Sequence, residues 1–194
     1  MKLNQLEYVV TRTLRARTVL HRIQRIKARP RSVRIGHLHV PPRCLLLGRF
    51  DFAGDEVAYL AESSQTSLYE CIARREAKWV TMADLRLREL VQLSATRALQ
   101  VLDLTPHGNT WPVLQSMRLH ATQELSDDIF GQGYDGIIYR SAQQPDAECY
   151  ALFRSRLVRA FRLESKWPLI DTVTGNLHWA LADALRGAQL PLVP

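Results

Sequence analysis

Short apolar runs set off by Gly, Pro, Asn and Asp dominate the pattern along the chain, and the clearest of them predict strands. Val57–Ala61, Leu99–Leu104, Ile137–Ser141 and Cys149–Phe153 are such runs. The last two frame a polar loop, Ala142 to Glu148, and so predict a hairpin. Cys44–Leu47 reads as a buried strand, and Val33, Ile35 and Leu38 mark a strand or arm after Pro30. Residues 3–27 leave helix and strand open. Leu3, Leu6, Val10, Leu14, Val19, Ile23 and Ile26 fit a helical spacing, whereas Val9-Val10 and Thr18-Val19 favour strand.

Helical periodicity predicts fewer elements. Ser63, Ser64 or Thr66 can cap a helix of about twelve to fifteen residues ending near Trp79, its stripe formed by Leu68, Cys71 or Ile72, Arg75 and Trp79. Residues 81–93 read as a turn with a short helix through Met82, Leu85 and Leu90. Trp111–Phe130 is mostly helical with a break near His120, and Leu177–Arg186 is a short helix closed by Gly187. Lys166-Trp167-Pro168 ends a basic run, and residues 190–194 form a docked or frayed tail. His107, in a loop without a second ligand at metal spacing, is expected to be solvated. Strands and short helices without a regular alternation predict an α+β fold, with residues 1–194 as a single domain.

Composition narrows the class. With 46% apolar and 23% charged residues, the chain is that of a soluble globular protein. Nothing approaches a membrane span or a signal peptide, so a cytoplasmic location is expected. Cys44, Cys71 and Cys149 lack the spacing of a zinc site or a disulfide framework. The net charge of +7 is uneven: residues 1–48 carry eleven Lys/Arg against the single acid Glu7, while residues 49–194 carry fifteen Lys/Arg against eighteen Asp/Glu. That basic front could follow phosphates, meet an acidic partner or form a solvated face. No recognition motif or interleaved aromatic set accompanies it. No GxGxxG opens a βαβ unit, and GxxxxGK[ST], GxSxG and HExxH are missing, which leaves metal-independent chemistry as the economical expectation.

One stretch, Gly48 to Arg75, brings an arginine, a tyrosine and a glutamate close together in sequence. Arg49 ends a short run, Tyr59 lies on a strand, and Glu70 is expected near the first turn of the following helix, where the helix dipole alone could account for it. Arg22, set in Val-Leu-His-Arg-Ile, suits a pocket edge. Ser141 stands where a strand enters a polar loop.

In order along the chain, His21-Arg22, Gly48-Arg49-Phe50, Ala58 to Ser63, Thr66 to Glu70, Val101 to Leu104, Ala121 to Leu125, Gly133 to Ser141 and Ala151-Leu152-Phe153 resemble the RES-domain family, named for arginine, glutamate and serine. The resemblance covers about residues 19–153, leaving 154–194 as a C-terminal extension. The segment between Arg22 and Gly48 is hard to align, and Cys149 stands where many relatives have asparagine. The resemblance implies a fold similar to ADP-ribosyltransferases, with mixed strands forming a central cleft and short helices packed around them. It implies NAD as substrate, no metal, and cleavage of the nicotinamide–ribose bond with water or phosphate as acceptor. Relatives act as toxins of bacterial toxin–antitoxin pairs, held by a helix-turn-helix antitoxin through which nucleic acid is reached only indirectly. A homodimer is left open.

On that resemblance Arg49, with Arg22, would bind the pyrophosphate through guanidinium fork geometry. Tyr59 would flank the nicotinamide, Glu70 would steady the positive charge developing on the ribose, and Ser141 would hold a hydroxyl or the carboxamide. The alternatives are mono-ADP-ribosyl transfer to a protein, a basic nucleic-acid-binding or regulatory protein without catalysis, and a structural relative that keeps the pocket without turnover.

Overall fold

Val9-Val10, Thr11, Thr13 and Thr18-Val19 crowd a helix at the β-carbon, and the front of the chain accordingly forms strands. The structure, a computed structural model, describes residues 1–115, 119–157 and 159–194. It contains β1 (Val10–Leu14), β2 (Val19–Arg25), the β3 (Val33–Ile35)/β4 (Leu38–Val40) hairpin and β5 (Val57–Ala61). After α1 (Ser64–Cys71) come β6 (Val80–Thr81), α2 (Met82–Leu85), β7 (Arg88–Ala95), β8 (Leu99–Asp103) and α3 (Leu119–Gly131). The chain closes with β9 (Gly136–Arg140), β10 (Glu148–Phe153), β11 (Phe161–Pro168), α4 (Trp179–Gly187) and β12 (Leu192–Val193).

Eight strands form one sheet in the order β1-β8-β9-β10-β5-β2-β7-β11, antiparallel throughout except for the parallel β8/β9 pair. This is the α+β arrangement of mixed strands and short helices expected from the sequence. The expected hairpin is β9/β10, from Glu148 opposite Arg140 to Leu152 opposite Gly136. The sheet is weakest at its middle. β5 and β2 share the single pair His21 and Ala61, whereas β2 and β7 pair continuously from Val19/Ser94 to Arg25/Arg88.

The two halves are covered by different helices. Leu125 and Ile129 of α3 pack with Phe50, Val57, Ile137, Ala151 and Phe153. Leu68 and Ile72, from α1 and its end, pack with Ile23, Leu90 and the Ala180, Leu181, Ala184 and Leu185 face of α4. The opposite face of both halves is buried by Leu20, Leu38, Val40, Leu60, Leu93 and Leu152. The central split therefore lies between the α3-covered and α1-covered halves. The tail is docked, β12 pairing in parallel with β6. Among the described residues no helix is long and apolar enough to cross a membrane.

Several expectations are corrected by packing. Residues 88–95 are a strand, most of it buried, not part of a turn and short helix. Glu89 disguises it, because this buried carboxylate accepts from Gln24 at 2.7 Å and from Lys166 at 3.1 Å. The run ending in Lys166-Trp167-Pro168 is likewise a strand, laid on β7 with a register shift between Leu163 and Ser165. Cys44–Leu47 is not a buried strand. Arg43–Leu45 forms a 3-10 turn, Leu46 takes a left-handed conformation (φ 45°), and Leu47 is 63% exposed. Helix α1 stops at Cys71, well short of Trp79, which is exposed. Gln143 Oε1 of the β9/β10 loop accepts from the Arg75 N–H at 2.7 Å, replacing the bond a longer helix would make. His107 is buried, with its ring 4.6 Å from that of Tyr8. The long helix begins at Leu119 rather than Trp111, and the part of that expectation at 116–118 lies outside the described residues.

Candidate active site

Gly48 to Asp51 forms a tight turn closed by the Asp51 N–H on the Gly48 carbonyl at 3.2 Å and by the Gly48 N–H on Asp51 Oδ2 at 2.7 Å. Glycine is required here by close approach. A β-carbon on Gly48 would lie 2.6 Å from Tyr59 Cζ and nearer still to its hydroxyl. Helix α3 grips the same segment by its carbonyls. Thr122 Oγ1 donates to Arg49 O at 2.5 Å, Ser126 Oγ to Phe50 O at 2.7 Å, and Gln123 Nε2 to Gly48 O at 3.1 Å. The Ala121–Leu125 stretch thus holds the turn that displays Arg49.

The Arg49 guanidinium donates to Leu114 O at 2.9 Å and lies 4.8 Å from the centre of the Tyr139 ring. That is cation–π distance. Tyr59, on β5, donates its hydroxyl to Asp51 Oδ1 at 2.9 Å and accepts the Phe50 N–H at 2.8 Å. Burial pushes the Tyr59 phenol well up, with the charge of Asp51 adding to the effect, so the group stays a neutral donor. Arg22 stands at the split of the sheet. It donates to Tyr59 O at 2.6 Å and to His39 O at 3.2 Å, while its Nε is buried without a partner. Burial draws the Arg22 guanidinium down.

Glu70 occupies the end of α1, one residue before its last, and not the first turn expected. The helix dipole therefore opposes a carboxylate at this position. Ser63 supplies the N-terminal cap instead, accepting the Thr66 N–H at 3.0 Å. What holds Glu70 is the loop after β9. Its Oε1 accepts the Ser141 hydroxyl, the Ala142 N–H at 2.9 Å and the Gln143 N–H at 3.3 Å. Ser141 Oγ in turn accepts the N–H groups of Gln143 at 3.1 Å and Gln144 at 2.9 Å. The serine hydroxyl is thereby engaged both as donor and as acceptor.

The five residues picked from the sequence fall into two linked sets. Arg22, Tyr59 and the Arg49 turn share direct hydrogen bonds, and Glu70 and Ser141 share another. Between them lie two residues not singled out as site members, Tyr139 and Cys149, opposite one another across β9/β10. The Tyr139 phenol is pushed well up, by burial first, then by Cys149, with the charges of Arg49 and Glu70 acting in opposite senses. Burial raises the Cys149 thiol, Glu70 raises it further and Arg49 opposes this. Cys149 is buried, in surroundings that favour the thiol over the reactive thiolate. Asp51 was also missed: an acid three residues after a glycine reads as an ordinary turn residue. Among the described residues no group of three or more His, Cys, Asp or Glu is arranged to hold a metal ion.

The RES domain family profile matches residues 19–190, and this chain belongs to the RES-domain family. The match continues beyond Phe153 through β11 and α4. Among solved structures, the chain is similar to the M. tuberculosis MbcT–MbcA toxin–antitoxin complex, with 18% identity and a TM-score of 0.58 over 81% of this chain and 86% of that one. At that identity the likeness is one of fold. Comparison with curated proteins gives no match.

Proposed function

We propose that this protein consumes NAD by cleaving the nicotinamide–ribose bond, and that it is the toxin of a toxin–antitoxin pair. The observation that carries the reading is the placement of Glu70, a carboxylate held against its helix dipole by a loop, within the electrostatic reach of the Tyr139 and Cys149 groups that also sense Arg49. A surface glutamate has no need of such an anchor. Family membership supplies the reaction class.

NAD fits the donors present. Among the described residues neither Arg22 nor Arg49 is paired with a carboxylate, and the orphaned Arg22 Nε needs an acceptor that a pyrophosphate oxygen would provide. Tyr59 flanks the nicotinamide and its ribose. Glu70 Oε1 is spent on the loop, and Oε2 is the oxygen left for the sugar. As the C–N bond lengthens, its electron pair leaves with nicotinamide, which becomes neutral, and positive charge grows on the ribose. A fixed carboxylate beside it lowers the transition state more than the ground state. The acceptor oxygen then bonds to the anomeric carbon and gives up its proton to the carboxylate or to solvent. Ser141 serves this step through Glu70, whose orientation it sets.

Water or phosphate is the acceptor in this reading, with protein ADP-ribosylation as the alternative. The partner is an antitoxin, a toxin–antitoxin complex being the structure this fold resembles; the family resemblance makes it a helix-turn-helix protein, and the setting is cytoplasmic. Purified protein is incubated with NAD, with and without phosphate, and the products are weighed by mass spectrometry. Nicotinamide with ADP-ribose indicates hydrolysis, and nicotinamide with a phosphorylated ADP-ribose indicates phosphorolysis. No nicotinamide from folded protein, or release undiminished in Arg49→Ala, refutes the reading.

A further inference from the structure

We propose that Asp51 is a positioning residue that fixes Tyr59 and Arg49 relative to each other, a role that rests on the NAD-cleaving reading above. Its two carboxylate oxygens have separate tasks. Oδ2 closes the turn by accepting the Gly48 N–H at 2.7 Å, and Oδ1 accepts the Tyr59 hydroxyl at 2.9 Å. A turn-forming aspartate needs only the first of these. The second reaches across to β5 and ties the turn to the ring.

The phenol is held at both ends of its hydrogen-bonding capacity, since it also accepts the Phe50 N–H at 2.8 Å. Two bonds from one turn define where the hydroxyl sits, and the bare Gly48 α-carbon is packed beside the ring, where a β-carbon would clash with it. Arg49 projects from this turn, whose carbonyls are gripped by Thr122, Gln123 and Ser126. Asp51 thus connects the pyrophosphate-binding arginine to the tyrosine that flanks nicotinamide. Only a carboxylate offers both acceptors, because asparagine has a single side-chain oxygen. Glu70 is anchored independently, on the loop at 141–143. Loss of Asp51 should therefore weaken substrate binding and spare the chemical step.

The test is steady-state nicotinamide release by wild type, Asp51→Ala, Asp51→Asn, Tyr59→Phe and the Asp51→Ala/Tyr59→Phe double variant. Asp51→Ala is expected to raise KM for NAD by about tenfold, with kcat within about threefold. Asp51→Asn, which keeps one acceptor, should fall between it and wild type. The double variant should lose less than the product of the two single losses, because both changes remove the Asp51–Tyr59 bond while each removes one further bond of its own. A fall in kcat at unchanged KM, or losses that multiply in the double variant, overturns the proposal. Urea midpoints of the same five proteins give a readout free of activity: shifts that fail to add support the Asp51–Tyr59 unit, and additive shifts refute it. A wild type that releases no nicotinamide defeats the functional reading, while the urea cycle still decides the role of Asp51. Should Asp51→Ala not fold, the same cycle is run with the near-isosteric Asp51→Asn and Tyr59→Phe.

Discussion

Replacing Glu70 by glutamine removes one charge while keeping shape and an oxygen for the loop, so it separates what the carboxylate does for the fold from what it does for the reaction. Three donors meet Oε1 in the structure: Ser141 Oγ, Ala142 N and Gln143 N. The amide oxygen can accept all three, though neutral bonds are weaker than those to a charged acceptor by about 1 kcal/mol each at most. Against this, neutralising Glu70 relieves its conflict with the C-terminal end of α1, about 0.3–1 kcal/mol. The net loss of stability is then about 2.7 kcal/mol at most, a fall in Tm of no more than about 5–11 °C for a chain of this size. Catalysis should suffer far more. Removing one preorganised electrostatic group from a developing charge costs about 100- to 1,000-fold in kcat. Nicotinamide release followed by chromatography at saturating NAD, alongside a thermal melt, measures both. A kcat within tenfold of wild type, in protein that melts within that range, would refute the role given to Glu70.

Gly48→Ala places a methyl group against the Tyr59 ring and hydroxyl, where the α3 clamp prevents the turn from yielding. Overpacking of this kind costs about 1–3 kcal/mol, readable as a lowered urea midpoint, together with a raised KM. Ser141→Ala takes one donor from Glu70 and one acceptor from Gln143 and Gln144, and kcat should fall by about tenfold while Ser141→Thr recovers part of it; an alanine variant of full activity counts against the orienting role. Leu181→Ala, at a fully buried position of α4 facing α1, should cost about 2–5 kcal/mol, and an unaltered melt would mean that this helix is not part of the folded core. The alkaline limb carries its own prediction. The folded phenols of Tyr59 and Tyr139 titrate above their ordinary value of 10.0, so the unfolded chain releases these protons first. Their contribution is complete below about pH 10 and is lost as pH rises towards the folded values. Urea midpoints between pH 8 and 11 should decline less steeply in Tyr139→Phe than in wild type, and parallel slopes would refute the assignment.

Local pattern was enough wherever an element's signal lay within its own residues. The β9 and β10 runs, the Leu99–Asp103 strand, the Ala-rich α4 and the α+β class are all readable as alternation, capping or turn chemistry. Arg49, Tyr59 and Glu70 stood out as candidates because they are close in sequence, although the strand expected before Arg49 does not form. Tertiary structure decided what depends on distant partners. β7 becomes a strand because β2 and β11 flank it and because Gln24 and Lys166 satisfy Glu89. Beyond the early end of α1 Gln143 accepts the Arg75 N–H, and His107 is covered by Tyr8, about a hundred residues away in sequence. For the same reason the Gly48–Arg75 stretch could suggest a glutamate at a helix start but not its anchor. The donors that reorient Glu70 lie some seventy residues away on the β9/β10 loop. The partner that turns Asp51 from a loop residue into a support for Tyr59 lies on β5, and only the bend of the chain after the turn brings it back. Hydrogen bonds that close across the fold leave no periodicity in the sequence, and only the packed chain shows which of its polar residues meet.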